Sequence, residues 1–320
     1  MDLDLRSYDH GIYSLDSGYL RPRLDAIHLI VEKGRVAIVD TGTFRSVPRV
    51  EAALAQIGLS FLSVDYVILT HVHLDHAGGA GELMRRCPEA QLVVHPRGAP
   101  HMVDPSKLWA GTVGVYGEER ARADYGELVP VAQERIIEAP DESSIRLATR
   151  ELRFLDTPGH AKHHFCLHDP ASASVFTGDT FGLSYRELDQ RNKAFIFPTT
   201  TPVHFAPPVL HASVNRIAGL SPRSIYLTHY TRIGDVGRLT ADLHRLIDAH
   251  AALADLLDTT RSAHAQLETL VAGVRGIVID EANRQGGDPM YWQDIFVNDI
   301  DLNAAGIAAW IEATRRKASA

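Results

Sequence analysis

Three histidines and an aspartate fall within six residues of one short stretch, at His71, His73, Asp75 and His76. The preceding residues 66–69 (YVIL) are apolar and predict a buried β-strand, and two glycines interrupt the pattern just afterwards. The cluster is therefore expected on a loop at a strand end, where α/β folds place their chemistry. Neutral imidazole and carboxylate are ligands that Zn²⁺, Fe and Mn accept, so this spacing predicts a metal site.

Three other apolar runs also end in a potential metal ligand. Residues 152–155 lead to His160, residues 175–177 lead to Asp179, and residues 225–227 lead to His229. Each could be an ordinary turn when taken alone, because Gly, Pro and Asp are common turn residues. Together they supply the ligands that one loop cannot, and the sequence predicts a site assembled from several strand ends.

Short β-strands and α-helices must position these motifs. The strand-like segments are residues 11–15, 26–31, 35–39, 66–69, 91–95 and several short runs within 135–180, and the helical patterns are residues 46–57, 82–86 and 207–220. Lys33-Gly34 lies between two of the strands and predicts a hairpin. Residues 97–133 predict an insertion of loops and short helices near the site.

Taken in order with Asp40, which follows the apolar residues 36–39, the motifs resemble those of the metallo-β-lactamase superfamily. That family's signature is an Asp after an early strand, H-x-H-x-D-H, a His, a bridging Asp and a final His. The resemblance covers roughly residues 10 to 230 and is closest to the glyoxalase II and lactonase branches. It implies an α/β fold of the αββα sandwich type, with two packed sheets, helices outside and the metals at one edge.

The resemblance also implies the role of each ligand in a binuclear site. One metal would be held by His71, His73 and His160, the second by Asp75, His76 and His229, with Asp179 bridging both. The implied cofactor is two divalent ions, foremost Zn²⁺, with Fe or Mn as alternatives. Asp40 would orient a ligating histidine or its loop, and His164 is expected to be a buried structural histidine beside the ligands.

Such a site implies a hydrolase in which hydroxide shared by the two metals attacks the substrate. Asp75 would orient the hydroxide and move a proton. An ester, lactone or thioester is the expected substrate, because residues 195–205 are rich in apolar side chains that suit an acyl group. A phosphodiesterase and an iron-dependent redox or sensing protein of the same fold are the alternatives.

Candidate substrate-binding residues lie between the last two metal motifs. They are Tyr185, Phe195, Phe197, His204 and Phe205. Aromatic and proline residues in such a stretch also suit a packed loop, which is the alternative interpretation. The lactonase branch keeps a Tyr three residues after the bridging Asp, whereas this chain has Gly182 there and Tyr185 further on.

Composition limits the partners and the compartment. The formal net charge of −8 and the lack of a long basic run disfavour nucleic acid as a partner. No apolar run reaches the roughly 18 residues of a membrane helix, and the first residues lack a signal-peptide pattern. We therefore expect a cytoplasmic protein that acts on a small molecule, without a membrane partner.

The character of the sequence changes after residue 233. Leucines recur at helical spacing from Leu239 to Leu257, and residues 301–316 predict a last helix. We predict a catalytic domain over residues 1–233 and a helical extension over 234–320 that docks on it. A role of this extension in a homodimer contact is the alternative.

Overall fold

The computed structural model describes residues 3–200, 205–258 and 260–318. Two compact units divide the chain, and each is discontinuous in sequence. The first contains the residues up to Asp156 together with His163–Gly178 and Pro222–Ile233. The second contains Thr157–Lys162, Asp179–Ser221 and the residues from Gly234 onward. The second unit therefore includes segments on both sides of residue 233, and the domain boundary given above stays a prediction.

Both β-sheets of the described chain lie in the first unit, and in both the strand order follows the chain. The seven-stranded sheet contains β1 (Leu5–Tyr8), β2 (Ile12–Asp16), β3 (Ala26–Glu32), β4 (Arg35–Val39), β5 (Val64–Ile68), β6 (Gln91–Val94) and β7 (Ile136–Glu138). Strands β1 to β4 are antiparallel, and β4 to β7 are parallel. Lys33 and Gly34 both have positive φ and form the β3–β4 turn, which confirms the predicted hairpin.

The six-stranded sheet contains β8 (Ser144–Leu147), β9 (Arg150–Asp156), β10 (Phe165–Asp169), β11 (Ser174–Phe176), β12 (Ser224–Leu227) and β13 (Thr231–Ile233). Its pairs are antiparallel except for β11 and β12, which are parallel. The carboxyl ends of β11 and β12 therefore meet at one edge of the sheet. The residues after β12 lead directly to His229.

Alternating side chains of the first sheet build two cores. On β4, Ile38 belongs to a cluster with the helices of this unit, whereas Val39 belongs to a cluster with the second sheet. Leu92 and Val93 of β6 divide in the same way. Because both faces are covered, these strands are continuous apolar runs, as buried parallel strands usually are. The strand ends that carry the polar motifs thus emerge from a rigid, fully packed base.

The helices of the first unit are mostly short. They are α1 (Val47–Gln56), α2 (Leu74–Ala77), α3 (Ala80–Arg86), α4 (Ala99–Val103), α5 (Ser106–Tyr116) and α6 (Glu118–Tyr125). Helix α1 has Pro48 in its first turn and buries the predicted stripe of Val47, Val50 and Leu54. Helices α4 to α6 fill the insertion, as expected from the sequence.

Five α-helices of the described chain lie in the second unit, and all except α10 are longer than those of the first unit. They are α7 (Pro207–Gly219), α8 (Val236–Ala252), α9 (Ala263–Gln285), α10 (Pro289–Ile295) and α11 (Val297–Ala318). Helix α7 packs against α8, and α9 packs against α10 and α11. The caps follow from sequence: the Ser262 side chain accepts from the Ala265 amide, and Gly286 ends α9 at φ +80°. Among the described helices, none combines the length and the apolar composition that crossing a bilayer requires.

His250 of α8 is a buried neutral imidazole, and it makes the stability of the second unit depend on pH. Its Nδ1–H donates to the Leu246 carbonyl at 2.8 Å, and its Nε2 accepts from Asn303 at 3.3 Å. Burial lowers the pKa of His250 to about 4. The imidazole of His250 binds a proton more tightly in the unfolded chain than in the folded one. Its contribution to the free energy of unfolding is therefore complete above about pH 6.5 and is lost as pH falls towards 4.

Replacing this imidazole tests the assignment. We expect His250→Leu to be less stable at pH 7.5 by about 1–3 kcal/mol, since Asn303 loses a buried acceptor. Between pH 6.5 and 4 its free energy of unfolding should fall less steeply than that of the wild type, by up to about 1.4 kcal/mol per pH unit. Urea unfolding of both proteins across this range measures the difference. Parallel pH profiles would contradict it.

Candidate metal centre

The buried side chain of Asp40 forms hydrogen bonds that connect the ends of three strands. It follows β4 at φ +57° and is completely buried. Its carboxylate accepts from the Thr70 amide at 2.9 Å and hydroxyl at 3.0 Å, from His76 Nδ1 at 2.9 Å and from the Thr228 hydroxyl at 2.8 Å. Because Thr70 follows β5 and Thr228 follows β12, one side chain fixes the start of both ligand-bearing loops.

The histidine-rich loop is buried and closely packed. His71 and His76 are fully buried, and His71 Nε2 lies 2.8 Å from His73 Nδ1. His73 precedes the single turn of α2, which carries Asp75 and His76. The Asp40 carboxylate can only accept at His76 Nδ1, so the proton of this ring is on Nδ1 and Nε2 keeps its lone pair. This Nε2 lies 3.6 Å from Asp75 Oδ2.

His229 completes a three-ligand group with Asp75 and His76 within the first unit. One ligand atom from each of these residues lies within 4.8 Å of the others. His229 Nδ1 lies 2.9 Å from Asp25 Oδ1 and 3.1 Å from the Leu24 carbonyl, so its proton is held there. Its Nε2 lies 3.6 Å from Asp75 Oδ2. The Nε2 atoms of both histidines therefore face the same carboxylate.

Asp25 is a functional residue that the sequence analysis missed. It precedes β3, and nothing in its local sequence distinguishes it from an ordinary turn residue. Burial raises the pKa of Asp25 to about 6, although His229 acts in the opposite direction. Its place is set by the pairing of distant segments, since the Ala26 amide donates to the Thr228 carbonyl at 2.8 Å.

His164 lies beside the ligand loop of the first unit. It is fully buried, and its ring centroid is 4.9 Å from that of His71. Gly178 makes this approach possible: it has φ +46°, and a Cβ there would lie 2.7 Å from His164 Nε2 and 2.5 Å from the Thr70 hydroxyl. Burial and position agree with a structural histidine, and its role towards the metal stays a prediction.

The second unit carries the other two predicted ligands, His160 and Asp179. His160 Nε2 lies 3.3 Å from Asp179 Oδ2, and both side chains are nearly inaccessible. His160 Nδ1 faces the Thr199 hydroxyl at 2.9 Å and its carbonyl at 3.4 Å. Gly159 permits the turn, because it has φ +128° and a Cβ would lie 2.6 Å from the backbone of Leu210.

The predicted substrate residues of the second unit lie in packed surroundings. Tyr185 donates to Asp299 at 3.1 Å, Phe195 packs on Trp292 with centroids 4.7 Å apart, and Phe197 contacts Phe296 at 4.8 Å. Phe205 is buried against Trp310, with centroids 5.9 Å apart. His204 lies outside the described residues. These contacts are those of the packed-loop alternative, and substrate binding by this stretch stays a prediction.

Three tyrosines form an aromatic cluster close to the ligand loop in the first unit. The Tyr19 hydroxyl donates to that of Tyr125 at 2.8 Å, and the Tyr116 ring lies 6.0 Å from the Tyr125 ring. Leu74, the residue between His73 and Asp75, packs into the same cluster. Burial raises the pKa of each phenol most, and the negative charge of Asp75 raises it further. The hydroxyls therefore stay protonated and can donate hydrogen bonds.

The chain belongs to the metallo-β-lactamase superfamily, whose family profile matches residues 21–229. This confirms the resemblance and the fold class. The metallo-β-lactamase fold-containing protein ST1585 of Sulfurisphaera tokodaii is 24% identical over 205 residues, which are 60% of this chain and 68% of that protein. Its crystal structure aligns with a TM-score of 0.63 at 20% identity, covering 94% of this chain and 99% of that one. At this identity the structural likeness shows the fold alone.

Several other relatives have names that state a reaction. A hydroxyacylglutathione hydrolase of Stenotrophomonas maltophilia is 28% identical over 152 residues, covering 48% of this chain and 44% of that protein. A coenzyme F420H(2) oxidase of Methanothermobacter marburgensis is 41% identical over 96 residues, covering 29% of this chain and 22% of that protein. The matched parts are less than half of either relative, so neither activity passes to this chain directly.

Proposed function

We propose that this chain is a metal-dependent hydrolase that acts on an ester, lactone or thioester. The observation that carries the proposal is the set of acceptors behind the histidines. The Asp40 carboxylate accepts from Nδ1 of His76, the Leu24 carbonyl accepts from Nδ1 of His229 with Asp25 beside it, and the Thr199 carbonyl accepts from Nδ1 of His160. Each contact leaves Nε2 with a lone pair, which is how proteins prepare metal-ligating histidines. The donor set of imidazoles and carboxylates fits Zn²⁺, and Fe or Mn as alternatives.

The seven proposed ligands are His71, His73, Asp75, His76, His160, Asp179 and His229, and together they suit two divalent ions. When bound, such ions supply a water of lowered pKa as nucleophile and polarise the carbonyl oxygen. The chain's own residues have two further tasks. Asp75 is the carboxylate among the proposed ligands of the first unit, and its side chain is 24% exposed, so it can exchange a proton with the reacting groups. The Tyr125 hydroxyl, which accepts from Tyr19, can donate to a bound carbonyl.

Metal content is the first test of this proposal. We expect two equivalents of divalent metal per chain to remain bound after dialysis of protein purified in metal-replete medium, because the seven proposed ligands suffice for two ions. Elemental analysis of the dialysed protein measures the ratio. His71→Ala should lower it, whereas His264→Ala should not, since His264 is an exposed histidine on α9. A wild-type ratio near one would contradict the binuclear site.

Turnover of matched substrates is the second test. We expect kcat/KM for an arylester, a γ-lactone or a thioester to exceed that for a bis-aryl phosphodiester. Tyr125→Phe should lower kcat/KM on the best acyl substrate by about 10-fold, since one hydrogen bond contributes about 0.5–1.5 kcal/mol. Tyr291→Phe, which alters an exposed residue of α10, is the control. His204→Ala tests the stretch 195–205, which the sequence predicts to contact the substrate. The variant with the larger loss of kcat/KM, Tyr125→Phe or His204→Ala, identifies the side of the site that contacts the substrate.

A redox or sensing function is the second candidate, and the 41% identity to the F420H(2) oxidase segment favours keeping it. Iron accepts the same nitrogen and oxygen donors. The two functions predict different bound metals in the isolated protein and different turnover on acyl substrates. Iron as the bound metal, combined with no turnover on any acyl substrate, would replace the hydrolase proposal with the redox one.

A further inference from the structure

Helices α7 and α8 are joined by four polar side chains that lie away from the residues assigned above. His211 and Asn215 are one turn apart on α7, and His244 and Asp248 are one turn apart on α8. The planes of the two imidazole rings are inclined by 22°, and their centroids are 4.8 Å apart. His211 Nδ1 lies 2.6 Å from His244 Nδ1.

The outer contacts of the two rings determine where their protons are. His211 Nε2 lies 3.0 Å from Asp248 Oδ1, and a carboxylate can only accept, so Nε2 carries a hydrogen. His244 Nε2 lies 2.9 Å from Asn215 Oδ1, and it donates in the same way. A neutral imidazole has one N–H. Both Nδ1 atoms therefore present lone pairs to each other at 2.6 Å, which is repulsive unless a cation lies between them.

Two cations could fill this position, a proton or a metal ion. A proton makes one ring an imidazolium. Burial, and then the neighbouring His211, lowers the pKa of His244, whereas Asp248 acts in the opposite direction. A metal ion requires both rings neutral, with their outer N–H groups held by acceptors. That is the arrangement found behind metal-ligating histidines, and Asp248 has the part that a carboxylate takes in a carboxylate–histidine–metal triad.

We propose that His211 and His244 form a binding site for one divalent transition-metal ion, with Zn²⁺ as the first candidate. Both residues bind through Nδ1, and water fills the remaining positions, since the His211 side chain is 25% exposed and that of Asp248 is 73% exposed. Zn–N bonds of about 2.0–2.1 Å at a tetrahedral angle need the Nδ1 atoms roughly 3.3 Å apart. Small rotations of two partly exposed rings provide this separation. The ion would clamp α7 to α8.

Zinc titration of the intact protein tests the site. The protein is first loaded with metal, dialysed free of excess, and then titrated with Zn²⁺ in a calorimeter at pH 7.5. We expect one further binding event per chain. His211→Asn and His244→Asn should each abolish it, and Asp248→Asn should weaken it by about 10–100-fold, as expected for the partner of a ligating histidine. His264→Asn is the control, because it removes an exposed histidine that also has a carboxylate one turn away.

The titration distinguishes a metal ion from a proton as the cation between the two Nδ1 atoms. No further event in the wild type, or an event that survives in both His211→Asn and His244→Asn, overturns the proposal and assigns the position to a shared proton. Equal loss in His264→Asn overturns it as well, since binding would then be unspecific. Anomalous diffraction at the zinc edge from wild-type crystals gives a check that does not depend on a variant folding: a peak between the two rings supports the site, and its absence overturns it. None of these results depends on whether the protein hydrolyses an acyl substrate.

Discussion

Asp179→Ala should lose nearly all hydrolytic activity and much of the affinity for at least one of the two metals. Asp179 is 6% exposed and lies 3.3 Å from His160 Nε2, in the position that the family signature gives to the bridging carboxylate. A carboxylate between two cations offsets their mutual repulsion, and alanine removes that charge without a substitute. The loss should exceed the roughly 10–100-fold that removal of an outer partner costs.

Two measurements check this expectation: metal content after dialysis against a weak chelator, and kcat/KM on the best acyl substrate. Asp280→Ala is the matched control, because it removes an exposed carboxylate on α9 of the same unit. The assignment of Asp179 as the bridge would be wrong if the alanine variant kept both metals and its turnover.

Asp40 gives the second large effect, and two substitutions separate its tasks. Asp40→Ala leaves the Thr70 amide, two hydroxyls and His76 Nδ1 without their buried acceptor, so we expect a loss of about 3–5 kcal/mol in stability. Asp40→Asn keeps the volume and one acceptor oxygen, so it should fold. However, its NH₂ group can only donate, and where it faces His76 Nδ1 it moves the ring proton to Nε2, the atom needed for the metal.

We therefore expect Asp40→Asn to bind metal about 10–100-fold more weakly while it unfolds at nearly the wild-type temperature. Thermal unfolding of the metal-free proteins and a metal titration of each give the two quantities. If Asp40→Asn bound metal as tightly as the wild type, Asp40 would only stabilise the fold. If Asp40→Ala abolished metal binding and Asp179→Ala left it intact, the two roles would be reversed.

The strand-end positions of the proposed ligands could be predicted, because each of these residues follows an apolar strand within a few residues. Asp25 could not, since its contact with His229 depends on the pairing of segments some 200 residues apart. The tyrosine cluster was missed for the same reason, because Tyr19 and Tyr125 meet only in the folded chain. The stretch from Phe195 was ambiguous, since an aromatic run suits a pocket wall and a core equally, and its partner Trp292 lies far along the chain.

The strand order of both sheets follows the chain, and this has a consequence for how the protein can vary. Each strand pairs with its neighbour in sequence, so sheet growth closes one loop at a time. The two longest connections between consecutive strands of one sheet are residues 95–135, between β6 and β7, and residues 177–223, between β11 and β12. The entropic cost of closing a loop grows slowly with its length, at about 0.6 kcal/mol per doubling. Both connections can therefore lengthen or change sequence while every strand register is kept. The first carries Tyr116 and Tyr125, so the aromatic side chains packed against Leu74 of the ligand loop can be exchanged on a scaffold that folds the same way.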